Sequence, residues 1–387
     1  MSYFLKKNIY YCLSIGACSI LLLMLLPRTV FPDDYWPPLH EMRLLNAEDK
    51  MRGIHAIPCF ASNNNGNSLI WIKHKTSLAS DINPTHDDIG VIIGMWDVGG
   101  NGFKVINHIH ESLYGVYFHA SQNHPILLYN KKPSAPSAPS TPWDMAIYDI
   151  SSQNPISSFP FPSGGPTFYA EHDGGDVFIL TFPSNLRKWD PETGSMNTSL
   201  VIKKYLIHEN RLEDVCVVTA PSAGSLESAK LLDDGKRIAL FGWGHVLRIL
   251  DMEIGQIIQE IPIQQTVSFI MGDISPDGLL AYGGGAVNKI GKFDVKTGKI
   301  LKTAYVSPTG ANLHGYRPTM IRLSPDGKWL AVGTGPAGDT YLYQTENLLL
   351  EKTFKHHTTV SAISFSPDSS HIAVEAGGII RIWKTGF

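Results

Sequence analysis

Apolar runs that end in an aromatic residue or a leucine, followed by a polar residue, recur seven times along the chain. The closing pairs are Trp96-Asp97, Tyr148-Asp149, Trp189-Asp190, Leu250-Asp251, Phe293-Asp294, Tyr343-Gln344 and Trp383-Lys384. Each run follows two further strand-like stretches, most of them separated by turn formers, which is the pattern of a strand meander. A supersecondary unit repeated along a chain indicates a closed or stacked array. The pattern therefore predicts an all-β chain of seven related units.

Turn residues mark the same unit. Ser275-Pro-Asp-Gly278 separates the first two strands of one unit, and Asp294-Val-Lys-Thr-Gly298 precedes its fourth strand. Asp or Pro early and Gly late suits a turn, because Gly adopts a positive φ without steric cost. The unit length is close to the ~40–45 residues of a four-stranded propeller blade. This unit length is the spacing between successive turn aspartates, which are Asp234, Asp277, Asp326 and Asp368.

The last unit carries motifs of a known family. His356-His357-Thr-Thr-Val360 is similar to the Gly-His opening of the WD-repeat β-propellers, and Trp383 occupies the position of the family's Trp. The resemblance covers residues 40–387, although only Trp96-Asp97 and Trp189-Asp190 keep a true Trp-Asp pair. It implies an all-β fold, a seven-bladed β-propeller of four-stranded antiparallel blades over residues 39–387. Other seven-bladed families are the alternatives.

The order of the strands also predicts how the ring closes. The last unit stops three strands in, at Phe387, and residues 39–45 precede the first complete unit. We expect residues 39–45 to form the outer strand of the final blade, because closure removes exposed sheet edges. The alternative is that this segment is only a linker.

The N-terminal segment is predicted to lie outside the ring. Residues 1–28 contain a short basic leader and an apolar stretch from Asn8 to Leu26. As a helix, residues 8–26 extend roughly 28 Å, close to the hydrocarbon thickness of a bilayer. We predict an uncleaved transmembrane anchor, followed by a linker at 29–38. A cleaved signal peptide and lipoprotein processing at Cys18 are the alternatives.

Charges beside the predicted anchor indicate its orientation. Lys6 and Lys7 precede it, whereas Arg28 follows it together with Asp33 and Asp34. The positive-inside bias therefore predicts a single-pass membrane protein with a cytoplasmic N-terminus. The propeller is then extracytoplasmic, and periplasmic if the protein is bacterial.

Two cysteines, Cys59 and Cys216, lie in the predicted propeller. Two thiols allow one disulfide at most, and no spacing argument brings these two together. We expect free thiols that pack as small apolar side chains. A disulfide between them is the alternative.

Strand alternation divides the connections between two faces of the predicted ring. The first-to-second and third-to-fourth connections share one face, and the second-to-third and blade-to-blade connections share the other. Four long loops are predicted on this second face, at 75–90, 131–144, 203–226 and 306–317. Long loops in a compact fold are often functional. The predicted partner-binding residues are His86, Asp87, Asp88, Trp143, His208, Glu209, Arg211, His314, Tyr316 and Arg317.

Charge and motifs narrow the classes of function. The formal net charge is −3 and Lys and Arg do not cluster, so nucleic acid is not expected as a partner. The chain has no G-x-S-x-G, H-E-x-x-H, phosphate-loop or C-x-x-C motif. His86-Asp87-Asp88 has metal-compatible ligands without a second cluster, so neither a metal nor a cofactor is predicted.

These observations favour a non-enzymatic protein-interaction scaffold, tethered to a membrane through residues 8–26 and facing the extracytoplasmic side. The sequence does not specify its protein partner. The alternative is an extracytoplasmic propeller enzyme, such as a lactonase-like hydrolase or a quinoprotein-type dehydrogenase subunit. A propeller assembles a channel site from residues far apart in sequence, which local motifs do not reveal.

Overall fold

Every regular element in the described part of the chain is a β-strand. The computed structural model describes residues 38–44, 54–63, 66–75, 91–97, 103–109, 113–120, 125–131, 144–150, 154–160, 168–173, 176–181, 188–190, 195–206, 209, 211–220, 228–232, 234–242, 246–261, 271–285, 287–307, 316–335 and 338–386. Within these ranges no helix has the length and apolar character needed to span a membrane. The anchor predicted at 8–26 lies outside the described residues.

The described strands form seven antiparallel sheets, numbered here along the chain. Sheet 1 contains β2 (Ile54–Asn63), β3 (Gly66–Lys75), β4 (Val91–Asp97) and β5 (Phe103–Ile109). Sheet 2 contains β6 (Leu113–Ala120), β7 (Pro125–Lys131), β8 (Asp144–Asp149) and β9 (Asn154–Pro160). Sheet 3 contains β10 (Phe168–Asp173), β11 (Asp176–Thr181), β12 (Lys188–Asp190), β13 (Ser195–Leu206) and β14 (Arg211–Ala220).

The remaining four sheets have four strands each. Sheet 4 contains β15 (Ser228–Leu231), β16 (Arg237–Phe241), β17 (Leu247–Asp251) and β18 (Gln256–Ile261). Sheet 5 contains β19 (Met271–Ile274), β20 (Leu280–Gly284), β21 (Lys289–Asp294) and β22 (Ile300–Tyr305). Sheet 6 contains β23 (Pro318–Leu323), β24 (Trp329–Thr334), β25 (Asp339–Gln344) and β26 (Leu350–Lys355). Sheet 7 contains β27 (Val360–Phe365), β28 (His371–Ala376), β29 (Ile379–Lys384) and β1 (His40–Arg43).

The recurring apolar run of the sequence is the third strand of a sheet. Six of the seven closing pairs end such a strand, in β4, β8, β17, β21, β25 and β29. In four sheets the register with the fourth strand shifts immediately before the residue that closes the run. These residues are Tyr148, Leu250, Phe293 and Tyr343. Such a bulge increases the local twist, so the repeated residue marks the twisted end of the strand.

The first strands of the seven sheets contact one another in a closed order. β2 contacts β6, and the contacts continue through β10, β15, β19, β23 and β27 back to β2. Apolar side chains of neighbouring sheets pack between them. Phe241 and Ile249 of sheet 4, for example, form one buried cluster with Ile274 and Phe293 of sheet 5. The core therefore lies between adjacent sheets, and the first strands form the innermost layer.

Side chains also join neighbouring first strands by hydrogen bonds. Ser228 Oγ donates to the Gly272 carbonyl at 3.0 Å, and Asp273 Oδ2 accepts from the Leu323 amide at 2.9 Å. Ser364 Oγ accepts from the Phe60 amide at 3.0 Å. Since this last bond joins sheet 7 to sheet 1, it spans the point where the two ends of the repeat array meet.

The N-terminal strand completes sheet 7. β1 pairs with β29 in antiparallel register, from His40 opposite Ile382 to Arg43 opposite Ile379. Met42 and Leu44 pack against a buried cluster that combines residues of sheets 1 and 7. Glu41 adds an ion pair to Arg381 at 2.8 Å. Strands from opposite ends of the chain therefore share one sheet.

Sheet 3 departs from the sequence prediction. Trp189-Asp190 was predicted to close a third strand, but it lies in β12, which pairs only with the first three residues of β13. β13 is the strand that pairs with β11, through its residues Val201 to Leu206. The prediction was wrong because Trp-Asp followed by Pro-Glu-Thr-Gly reproduces the local pattern of the other units. Long-range pairing with β11, which a local pattern does not encode, decides which strand is third.

Candidate functional site

Two ends of the sheets present different connections. The short-turn face joins first to second and third to fourth strands, and in sheets 4–7 it contains the turns 234–236, 252–255, 275–279, 295–299, 324–328, 345–349 and 366–370. The long-connection face lies at the opposite end and joins second to third strands and one sheet to the next. In sheets 5–7 its described residues are 285, 287–288, 306–307, 316–317, 335, 338, 356–359 and 377–378.

Turns of the short-turn face contain repeated serine–aspartate hydrogen bonds, and a few bonds, such as that from the Asp326 amide to Ser369 Oγ at 3.0 Å, join neighbouring turns. Ser275 Oγ donates to Asp277 Oδ1 at 2.5 Å and accepts from the Leu280 amide at 2.9 Å. The Ser275 hydrogen bond lowers the pKa of the Asp277 carboxyl. Ser324 and Ser366 make the same pair of bonds in sheets 6 and 7. The aspartates that revealed the repeat are therefore turn caps.

The predicted partner-binding residues fall into two groups. His86, Asp87, Asp88, Trp143, His208 and His314 lie outside the described residues, and their roles stay predictions. The structure describes Glu209, Arg211, Tyr316 and Arg317. It places Glu209 and Arg211 on the short-turn face and Tyr316 and Arg317 on the long-connection face.

Glu209 and Arg211 lie on the short-turn face, contrary to the prediction. Residues 203–226 were predicted as one long loop, but β13 and β14 form a hairpin across this segment, and Glu209 lies in its turn. Leu206, at the end of β13, pairs with Asp176, which follows the first-to-second turn of sheet 3. The error arises because β12, rather than β13, was predicted as the third strand. That assignment reversed the predicted direction of the later strands in this unit. Arg211 forms ion pairs with Glu209 at 2.8 Å and Glu213 at 2.5 Å.

Tyr316 and Arg317 lie on the long-connection face, as predicted. They end the connection between β22 and β23, and Arg317 is exposed. The Arg317 carbonyl accepts from the Gly335 amide at 3.0 Å, which ties this connection to the β24–β25 turn. The Tyr316 ring lies edge-on to the buried ring of Tyr341, with centroids 6.3 Å apart. The backbone of this connection is thus fixed, while its arginine side chain faces solvent.

A buried carboxylate lies beneath these residues. Asp339 is 4% exposed, and its Oδ2 lies 3.3 Å from Lys355 Nζ and 3.4 Å from the Tyr341 hydroxyl. Its Oδ1 is also buried and has no hydrogen-bond partner among the described residues. Burial, with Asp339 adding to it, strongly raises the pKa of Tyr341, so this phenol stays protonated. The cluster holds the Lys355 ammonium beside the surface.

Sequence reasoning missed Asp339, Tyr341 and Lys355. Gly338-Asp339 reads as an ordinary polar turn, and the three residues lie on two different strands. The available signal was an acidic residue at the first position of a third strand, where the neighbouring sheets have Lys289 or Ile379. That signal can be interpreted only once β25 and β26 are paired, because this pairing places Lys355 opposite Asp339.

Comparisons with known proteins identify the architecture. A family model described as "WD domain, G-beta repeat" matches residues 349–384, which include β26 to β29. A chain in the crystal structure of the mitotic checkpoint complex superposes with a TM-score of 0.60 at 13% identity, over 92% of this chain and 98% of that one. The chain therefore has a β-propeller fold, and its residues 349–384 are similar to a WD repeat. The search of curated protein sequences gave no match.

The structural likeness shows the propeller fold alone, because its sequence identity is low. The comparisons give no support to the alternative of a propeller enzyme. In the described part of the propeller, no group of three or more His, Cys, Asp or Glu side chains is arranged to hold a metal ion. Cys216 is a free, half-buried thiol.

The propeller's last two sheets are joined by a buried histidine on the long-connection face. His356 is 6% exposed, its Nε2 lies 3.1 Å from the Thr340 hydroxyl, and its ring is edge-on to Trp383 with centroids 5.2 Å apart. Burial, assisted by the positive charge of Arg381, lowers the pKa of His356 to about 3. The imidazole is therefore neutral at physiological pH and supports the connection from sheet 6 to sheet 7.

Two glycines enclose the same connection. A Cβ on Gly338, whose φ is +65°, would lie 2.1 Å from the Thr358 amide nitrogen. A Cβ on Gly377 would lie 2.6 Å from Thr358 Cγ2. Contacts this close require glycine on both sides of Thr358. The propeller thus packs connection 356–359 tightly between two turns and leaves His357 exposed beside it.

Proposed function

We propose that this propeller is a non-enzymatic protein-interaction scaffold with seven blades that docks a protein partner on its long-connection face. The WD-repeat fold supports the class, since it presents a rigid ring whose loops vary independently of the core. The structure that it resembles is that of a protein complex. The observation that carries the proposal is the difference between the faces. Ser275, Ser324 and Ser366 on the short-turn face bond within their own turns. On the long-connection face, by contrast, the Arg317 side chain is exposed on a backbone held by the Gly335 amide.

The connectivity of the described strands supports this choice of face. Connections 75–90, 131–144 and 306–317 join β3 to β4, β7 to β8 and β22 to β23. All three are second-to-third or sheet-to-sheet connections. Three of the four longest predicted loops therefore belong to the long-connection face.

We also propose that residues 8–26 anchor the propeller in a membrane, with the N-terminus in the cytoplasm and the ring outside it. The apolar length of 8–26 and the positions of Lys6 and Lys7 support this topology. β1 begins at His40, shortly after the linker predicted at 29–38.

Site-specific photo-crosslinking tests the interaction surface. A benzophenone side chain is placed at Arg317 or at Thr359, both exposed on the long-connection face, in full-length protein in the cells that produce it. The matched control is Asn347, exposed on the short-turn face. We expect one discrete crosslinked protein from both test positions and none from Asn347. No specific product from either test position, or the same product from all three, contradicts the proposal.

Cysteine labelling tests the topology. Lys299→Cys places a thiol on the exposed short-turn face, and Ser2→Cys places one before the predicted anchor. A membrane-impermeant maleimide is expected to label position 299 in intact cells and position 2 only after permeabilisation. The reverse pattern contradicts the orientation, and protein released by a carbonate wash contradicts the anchor.

A further inference from the structure

The exposed charges on the long-connection face of sheets 5–7 have one sign. Among the described residues, the charged side chains that reach solvent at this end of the three sheets are Arg43, Lys289, Arg317 and Lys355. The carboxylates at the same end, Asp339 and Glu375, are 4% and 3% exposed. Connection 308–315 contains no Asp or Glu in its sequence.

Two of these cations are held in place from below. Lys289 Nζ lies 4.6 Å from the ring centroid of Tyr305, a cation–π distance. Lys355 Nζ lies 3.3 Å from the buried Asp339 carboxylate, and its side chain keeps 34% of its exposure. An ammonium has three donors, so each lysine retains donors that point to solvent. Part of the ordering cost of a new contact is therefore already met in the free protein.

The opposite end of the same sheets has charges of both signs. On the short-turn face, Asp277, Asp326, Glu346 and Asp368 are exposed together with Lys296, Lys299, Lys328 and Lys384. Glu41 lies between the two ends, and its charge is paired with Arg381 at 2.8 Å. Among the described residues of these sheets, exposed charges of a single sign are thus found only on the face that carries the long connections.

We propose that the basic face formed by Arg43, Lys289, Arg317 and Lys355 binds an acidic segment of the protein partner. This inference rests on the proposed function and specifies the chemistry of the partner. Arginine recognises carboxylates with two parallel hydrogen bonds. The lysines add point charges, that of Lys289 lying over the Tyr305 ring. Glutamate or aspartate side chains in an extended segment match both kinds of group.

A protein segment fits this face better than other polyanions do. Four cations spread over three sheets neutralise few phosphates, whereas nucleic-acid binding takes many clustered contacts. The aromatic rings among the cations favour a ligand with apolar atoms between its charges, as in a peptide. Nucleic acid and anionic membranes become alternative outcomes of the test.

Binding of an acidic peptide to the full-length protein in non-ionic detergent provides the test. The probe is fluorescein-labelled decaglutamate, with decalysine, duplex DNA and phosphatidylglycerol vesicles as comparison ligands. We expect decaglutamate to bind and to weaken as salt rises from ~0.05 to ~0.3 M, because exposed charges are screened. Arg317→Glu combined with Lys289→Glu should weaken binding by roughly tenfold or more.

The control pair is Lys299→Glu with Lys384→Glu, which changes the net charge equally on the short-turn face and should leave decaglutamate affinity within about twofold. Equal loss in both pairs overturns the basic face. Binding of vesicles or DNA without decaglutamate also overturns it, in favour of a lipid or nucleic-acid ligand. A crosslinked partner from Arg317 without decaglutamate binding leaves the interaction function intact and rejects only its acidic chemistry. Decaglutamate binding without any crosslinked partner supports the acidic chemistry of the face and rejects the interaction function.

Discussion

The two faces of this propeller use similar polar residues for different purposes. On the short-turn face Ser275 and Asp277 bond to each other and to the next strand, so each polar group is satisfied within its own turn. On the long-connection face the buried Asp339 pairs with Lys355 of the neighbouring strand, and the buried His356 contacts Thr340 and the Trp383 ring of the next sheet. Local satisfaction makes a turn self-contained, whereas buried long-range partners make a surface depend on its support. The second arrangement suits a binding face because it fixes the backbone and leaves outer side chains free.

The largest difference between the faces is expected at two glycines with the same backbone conformation. Gly338 has a φ of +65° on the long-connection face, and Gly327 has a φ of +69° on the short-turn face. A Cβ at Gly338 would meet the Thr358 backbone at 2.1 Å, whereas a Cβ at Gly327 has no atom within 4 Å. We expect Gly338→Ala to lower the free energy of unfolding by about 3 kcal/mol or more, and Gly327→Ala by about 1 kcal/mol for the left-handed backbone alone. Urea unfolding of both variants measures this, and equal losses contradict the packing argument.

Acid should destabilise the two faces in different pH ranges. The His356 pKa is about 3 in the folded protein and near 6.5 in the unfolded chain, so the unfolded state binds the extra proton first. Stability is therefore complete above pH 6.5 and falls as the pH drops below it. At pH 4.5 this amounts to roughly 3 kcal/mol. Hydrogen bonds from Ser275 to Asp277 and from Thr297 to Asp294 lower those carboxyl pKa values, so the stability they provide is lost only below about pH 4.

Replacing the buried histidine separates the two ranges. His356→Gln should flatten the stability profile between pH 6.5 and 4.5 and retain the loss below pH 4. Burial also lowers the pKa of His371, at the start of β28 on the short-turn face, so a smaller slope should persist. Thermal unfolding across pH measures both effects. A larger flattening in His371→Gln than in His356→Gln would show that the short-turn face dominates the acid response.

The sequence predicts the strands of this propeller better than it predicts the site. Runs such as the one ending at Tyr148-Asp149 identify third strands, because a buried strand needs a continuous apolar segment whatever its neighbours are. Trp189-Asp190 has the same local pattern but does not end a third strand. β11 pairs with β13 instead, and the local pattern does not encode that pairing. The expectation that residues 39–45 pair with the last sheet came from the order of elements. In the structure β1 pairs with β29.

The site residues divide along the same line. Tyr316 and Arg317 follow from loop length and strand order, both of which are visible in the sequence. Asp339 is not visible, because its ion pair with Lys355 depends on the pairing of β25 with β26. The face predicted for Glu209 was wrong because β12 was taken as the third strand. That assignment reverses the predicted direction of every later strand in the sheet.

Removing one turn hydroxyl should have an intermediate effect. Ser324 is 1% exposed, donates to Asp326 Oδ1 at 2.7 Å and accepts from the Trp329 amide at 2.9 Å. Ser324→Ala leaves the half-buried Trp329 amide and the Asp326 carboxylate without this partner, so we expect a loss of about 1–2 kcal/mol. Ser361→Ala, at an exposed position of β27, is the control and should change stability by less than about 0.5 kcal/mol. Equal effects in chemical unfolding would show that the turn bonds contribute nothing specific.

The smallest effect on stability is expected at the residue most important for binding. Arg317 is exposed, and its structural bond is made by its backbone carbonyl, which Arg317→Ala retains. We therefore expect a change in unfolding free energy below about 0.5 kcal/mol, together with a clear loss of crosslinking or acidic-peptide binding. Asp277→Ala, also exposed but capping its turn, should show the converse, with a loss of about 1 kcal/mol and unchanged binding. If Arg317→Ala unfolds more easily than Asp277→Ala, the Arg317 side chain stabilises the fold. The distinction between a structural face and a binding face then fails at Arg317, the residue on which it depends most.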